Sequence, residues 1–144
     1  MRLQGLGTYF ERPTVPRLWT NTSFAAQLRT NLHVPTDANL YFCAQSLFKF
    51  HVDFDEVLKG ILQRDRGGYI VLLKGRHASW LRQLQNRLRG SLGDLLYSRL
   101  LFVPRMKSSQ LMQHVAGATL MLDPFPFGGG VTSMEVRICF RMAY

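Results

Sequence analysis

Gly117–Glu135, GATLMLDPFPFGGGVTSME, carries the pattern of a strand, a compact loop and a helix start. A short apolar run, Ala118 to Leu122, closes on Asp123, passes through two prolines and three consecutive glycines, and meets Thr132 and Ser133 ahead of another largely apolar segment. Gly128, Gly129 and Gly130 lack a Cβ, so the backbone there can take positive φ and approach a ligand closely. Thr132 or Ser133 can cap the next helix, whose first amides have no partners within the helix. Such a loop offers a seat for a phosphate. It is also the form of an ordinary tight turn between strand and helix, and the loop alone does not separate the two.

The same alternation recurs upstream. Leu40 to Cys43 reads as a strand, and Ala44 to Lys49 as the turn after it. Asp53 is placed to cap the following helix, with Glu56 completing a reciprocal capping box. Val57, Leu58, Ile61 and Leu62 mark one face of that helix, which ends near Arg64. Gly67 and Gly68 turn the chain into Tyr69–Leu73, apolar at every position, as expected of a parallel strand covered on both faces. After the loop Lys74–His77, the spacing predicts a helix over Ser79–Arg89 with Trp80, Leu81, Leu84 and Leu88 inward, broken by Gly90–Asp94. Leu100–Val103 is a third strand, cut off by Pro104. Ser108 is read as the cap of a helix over Ser109–Ala116, with Leu111, Met112 and Val115 on its inner stripe. An earlier helix is read over Asn21–Arg29, capped by Thr22 or Ser23.

Short apolar strands alternating with amphipathic helices predict an α/β fold, an open layer of parallel strands joined by right-handed crossovers. Ligands of such folds meet the loops beyond the carboxyl ends of the strands. Here these are Ala44–Lys49, Lys74–His77, Pro104–Lys107 and Pro124–Thr132, so the glycine loop falls on the working edge.

At 144 residues the chain suits one domain with a real core, and its 47% apolar content argues against disorder. Residues 1–20 form an extended lead-in with no sustained period, 21–138 the domain, and 139–144 a tail with no clear strand or closing helix. No apolar run is long enough to span a membrane, and no apolar stretch follows Arg2 as a secretory signal would require. A cytoplasmic protein is expected. Cys43 and Cys139 are far apart, and His33, His51, His77 and His114 show no metal-ligand spacing, so neither a disulfide framework nor a zinc site is expected. The formal charge of +9 suits anionic partners. From Arg76 to Lys107 Asp94 is the only acid, yet the basic residues punctuate helices and strand ends and match no nucleic-acid-binding motif.

Lys49, in the turn after the first strand, can neutralise a diphosphate and stabilise it as a leaving group; it also reads as a solvated surface lysine. Gln45 can donate to the same ligand or stabilise the turn. Arg105 can reach the same edge with a guanidinium suited to phosphate. Glu135 suits a ribose diol, or else the positive end of the last helix. Asp123 is read as shaping its loop. No nucleophile–histidine–acid motif is legible, and no catalytic base is assigned.

Laid out together, YFCAQSLFKFHVDFDEVLKGIL, FVPRM and LMLDPFPFGGGVTSME resemble the carboxyl-terminal half of the O-linked N-acetylglucosamine transferase family, particularly its bacterial tetratricopeptide-associated members. GLGTYFERP is similar to their interdomain segment. The resemblance implies a partial Rossmann-like parallel sheet with flanking helices, the donor-binding half of a metal-independent GT-B glycosyltransferase. It implies transfer of N-acetylglucosamine from UDP-N-acetylglucosamine, or another UDP-sugar, to protein serine or threonine, with no cofactor. Gln45 and Lys49 would contact the donor diphosphate, with Lys49 stabilising the departing UDP. Gly130, Val131 and Thr132 would hold phosphate through amides and the threonine hydroxyl, and Glu135 would grip the ribose. The protein acceptor would be engaged through regions outside this chain; neither membrane nor nucleic acid is an expected partner.

The chain departs from the family at Val131, where a polar side chain is usual, and at VRICFRMAY, which replaces the expected helix, turn and strand. The second departure reads as a truncation or a shifted frame. A GT-B reaction needs two halves to orient donor and acceptor, so this chain alone is expected to show little or no transfer. A non-catalytic nucleotide-binding or protein-interaction fragment is the alternative, and a basic nucleic-acid-binding module a third.

Overall fold

The computed structural model describes residues 22–130. Strands β1 (Leu40–Cys43), β2 (Tyr69–Leu73), β3 (Leu100–Val103) and β4 (Leu120–Met121) form one sheet in the order β3-β2-β1-β4, with every pair parallel. Helices α1 (Thr22–Asn31), α2 (Val52–Arg64), α3 (Ala78–Leu92), α4 (Asp94–Tyr97) and α5 (Ser108–Gly117) flank it, and a 3-10 turn at Leu47–Lys49 follows β1. The architecture is an open parallel α/β layer, as the alternation of strands and helices predicts, and is Rossmann-like, as the resemblance implies. The lead-in 1–20 and the tail 139–144 lie outside the described residues.

Strand side chains alternate between two cores. Leu40, Phe42, Val71 and Val103 pack with Leu28 of α1 and with Met112 and Val115 of α5. Cys43, Ile70, Leu72 and Leu100 face the other way, onto Phe54, Leu58 and Leu62 of α2 and Leu84, Leu88 and Leu92 of α3. The connections β1 to β2 and β2 to β3 step one way along the sheet through the second layer, and β3 to β4 returns across β1 through the first. That reversal on the opposite face is what crossovers of constant hand require. It creates a topological switch point between β1 and β4, where carboxyl-end loops diverge and leave a crevice.

The structure corrects several local expectations. The α2 N-cap is His51, whose Nδ1 accepts from the Asp53 amide at 3.4 Å, so Asp53 lies inside the first turn. Val57 and Trp80, read as inward, are 38% and 44% exposed; Phe54 and Leu92 take up the buried stripes instead. Helix α3 runs through Gly90 to Leu92 and stops at Gly93, whose φ of 77° suits glycine alone. Lys107, not Ser108, occupies the N-cap of α5, its amide donating to Gln110 Oε1 at 3.2 Å. The caps read at Thr22 or Ser23 fall on side chains outside those described.

Candidate functional site

The crevice at the switch point is built by two loops. After β1 the chain buries Gln45 and makes the short 3-10 turn, which brings Lys49 back over Gln45. Lys49 Nζ donates to Gln45 Oε1 at 2.9 Å. It also reaches across to the loop after β4, donating to the Gly128 carbonyl at 3.1 Å and lying 4.9 Å from the centroid of the Phe127 ring. An ammonium has three donors, and these two acceptors use two of them. In the second loop Asp123 Oδ1 accepts from the Gly129 amide at 2.6 Å, folding the glycine segment back on the end of β4. The shaping role read for Asp123 matches this contact. Gln45, Lys49 and the first part of the glycine loop, distant in sequence, therefore meet at one point. Gly130 ends the described chain, while Val131, Thr132, Ser133 and Glu135 lie outside it.

A cavity of about 590 Å³ opens beside Lys49 over the carboxyl ends of β1, β2 and β3. Its walls include Lys49, Lys74, Arg76 and Arg105 and, among the described residues, no aspartate or glutamate. The side chains of Lys74, Arg76 and Arg105 are exposed and make no hydrogen bond or ion pair among the described residues, so each is free to meet an anion from the cavity. Arg105, from the loop after β3, shares this cavity with Lys49. Trp80 stands at one side, edge-on to Phe48 at 6.3 Å and 4.6 Å from the His77 ring. The volume falls in the range of small-molecule sites, and cations beside aromatic surface suit a planar, anionic ligand.

Beneath the crevice, Cys43 is fully buried, and burial pushes its thiol up to about 12. It stays a neutral core thiol and is no nucleophile. Among the described residues no three His, Cys, Asp or Glu side chains gather into a metal-binding group, and no helix is long and apolar enough to cross a membrane.

Sequence reasoning missed Asp55 and Arg87. Asp55 is only 2% exposed, and Arg87 Nε and Nη2 donate to its Oδ2 and Oδ1 at 2.8 and 2.9 Å. The signal was present: Asp55 shares a helical face with Leu58 and Leu62, and a carboxylate on a buried stripe demands a cationic partner. Lys74 and Arg76 fall on the expected working edge with their loop but carry no assigned role, and Trp80, expected inward, instead lines the cavity.

A parallel sheet with a switch-point crevice defines the Rossmann-like class. No family model matches this chain, and no curated protein matches it. Among solved structures it is similar to a mutant O-GlcNAc transferase from Thermobaculum terrenum, with 19% sequence identity and a TM-score of 0.59. The match covers 68% of this chain and 19% of that one, so this chain spans less than a fifth of that protein. At this identity the likeness is one of fold alone, a Rossmann-like, GT-B-type parallel sheet with flanking helices.

Proposed function

We propose that the crevice between β1 and β4 is the donor site of a protein-directed GT-B glycosyltransferase, taking UDP-N-acetylglucosamine or a related UDP-sugar. One observation carries the reading: Lys49 Nζ stands at the switch point, held between Gln45 Oε1 and the Gly128 carbonyl. A diphosphate bound there meets a localised positive charge beside a glycine-rich turn. The cavity lined by Arg105, Lys74 and Arg76 gives the nucleotide room. Thr132, the Val131 amide and Glu135 would complete the grip on phosphate and ribose.

In this reading a serine or threonine hydroxyl of the acceptor forms the new bond to the anomeric carbon as the bond to the diphosphate oxygen breaks. The electron pair leaves with UDP, and Lys49 stabilises the charge it acquires. The hydroxyl proton passes to a general base, a role that no residue of this chain is assigned. Phe48 and Phe127, 68% and 67% exposed, flank the crevice as rings that a second half-domain would cover. A nucleotide-binding fragment without transferase activity uses the same crevice; because this chain alone is expected to transfer little or nothing in either reading, the two differ in whether transfer appears once a second GT-B half is supplied.

Calorimetric titration with UDP tests the donor site. The folded chain is expected to bind, and Lys49→Ala, at a half-buried position, to stay folded while losing affinity by about tenfold or more, as loss of a charged phosphate contact implies. A folded chain that ignores UDP, or Lys49→Ala binding as tightly as the parent, would overturn the reading.

A further inference from the structure

The ammonium of Lys49 is only as well placed as the loop that carries it. That loop leaves β1 at Ala44 and enters α2 at Val52, and its turn is closed by weakly cooperative bonds, Lys49 N to Ser46 O at 3.0 Å and Phe50 N to Leu47 O at 3.2 Å. One side chain from a different element fixes its far end. Arg87 Nη2 donates to the Phe50 carbonyl at 2.9 Å, one residue beyond Lys49. The same guanidinium grips both oxygens of Asp55. The Asp55 side chain is 3% exposed and that of Arg87 37%. Three elements therefore meet in one planar group: α3 supplies the arginine, α2 the carboxylate, and the lysine loop the carbonyl.

The first turn of α2 also touches the opposite lip. Phe54 stacks edge-on against Phe50 at 5.6 Å on one side and Phe125 of the glycine-loop segment at 5.7 Å on the other. A shift of this turn would move both lips of the crevice. Displacing a charge by about 1 Å is enough to lose much of its effect on a reacting group.

We propose that Arg87 and Asp55 are positioning residues: their bidentate pair, with the bond from Arg87 to the Phe50 carbonyl, holds the Lys49 loop in its ligand-binding register. This rests on the donor-site reading for its ligand, but its structural part does not. Lysine in place of Arg87 keeps a positive charge opposite Asp55, but a rotating ammonium cannot reproduce the planar fork that serves a carboxylate and a carbonyl together. Geometry is lost while charge is kept.

The test measures Arg87→Lys by three readouts: thermal melting, amide hydrogen exchange, and UDP titration. Melting is expected to shift little, and the Val71 and Leu72 amides of the central strand to exchange as in the parent. The Lys49 and Phe50 amides are expected to exchange at least about tenfold faster, with UDP affinity about tenfold weaker. Unchanged exchange at those two amides, or unchanged UDP affinity in a chain that binds UDP, overturns the proposal. If Arg87→Lys lowers global stability, the double variant Asp55→Leu/Arg87→Met removes both charges without orphaning either. It is expected to show the same local loosening, and a loop as protected as the parent's overturns the proposal. Absence of UDP binding by the parent overturns the donor-site reading instead, and the exchange readout then decides whether Arg87 holds the loop.

Discussion

Asp65 shows how one carboxylate ties together the edge of the sheet opposite the crevice. Its Oδ2 accepts from Asn39 Nδ2 at 2.9 Å and the Tyr41 hydroxyl at 2.8 Å, and its Oδ1 from the Gly67 amide at 3.0 Å. The Asn39 bond first, and the Tyr41 bond next, hold the carboxyl below its ordinary 3.8. Burial first, and then the bond to Asp65, lift the Tyr41 hydroxyl above its ordinary 10.0. The two signs bracket a stability plateau. Below 3.8 the unfolded chain takes up a proton at Asp65 before the native one does, so this stabilisation is complete above 3.8 and is lost as pH falls through the lowered value. Above 10.0 the unfolded chain loses the Tyr41 proton first, so stabilisation present below 10.0 is lost as pH rises through the raised value. Asp65→Asn removes the acid-side linkage. In urea unfolding, the parent's advantage over Asp65→Asn is expected at about pH 7 and to shrink by about pH 3. An advantage equal at both pH values would mean that Asp65 acts without its charge.

At the scale of elements, α1 and α5 meet over Gly117, and the absence of a side chain there sets their separation. A Cβ on Gly117 would lie 2.8 Å from Leu28 Cδ2, 3.3 Å from Leu28 Cβ and 3.6 Å from the Ala25 Cα. Leu28 is 4% exposed and has little room to yield. Gly117→Ala is therefore expected to cost about 1–3 kcal/mol, read as a lower denaturation midpoint with an unchanged slope. UDP binding at the distant crevice should persist, and a variant as stable as the parent would show that α1 can move away freely. The strands were legible because Leu40–Cys43, Tyr69–Leu73 and Leu100–Val103 are apolar runs bounded by turn residues. Helix starts were less so. Asp53 has the chemistry of a cap, but the His51 ring also accepts an amide, and α2 starts one residue before Asp53. Trp80 and Val57 fall at helical spacing with core residues, yet periodicity alone does not separate the rim of an apolar stripe from its centre. Gly90 was read as a break because glycine disfavours helix, but the packing of Leu88 and Leu92 against α2 and the sheet carries α3 past it.

Across the whole molecule, the sequence places Gln45, Lys49 and the glycine loop at carboxyl ends of strands without saying which strands are neighbours. The order β3-β2-β1-β4 makes β1 and β4 adjacent, and the contact from Lys49 to Gly128 follows from it. The pairing of Asp55 with Arg87 was illegible as a pair, since 32 residues and an intervening strand separate them. The excess of basic residues acquires a location as well: part of the formal charge of +9 converges on one cavity as Lys49, Lys74, Arg76 and Arg105, with no acid among the described residues that line it. A diphosphate held there is attracted by several cations at once, and mobile ions screen such attraction over a Debye length of about 10 Å at 0.1 M salt and about 3 Å at 1 M. UDP affinity is therefore expected to fall several-fold as sodium chloride rises from about 0.05 to about 0.5 M, whereas uridine, lacking the diphosphate, should bind weakly and with little response to salt. An unrelated oligonucleotide should not match UDP at moderate salt if the crevice recognises a nucleoside diphosphate rather than any polyanion. Salt-insensitive binding of UDP would put its main contacts on base and ribose and take Lys49 out of the centre of the site.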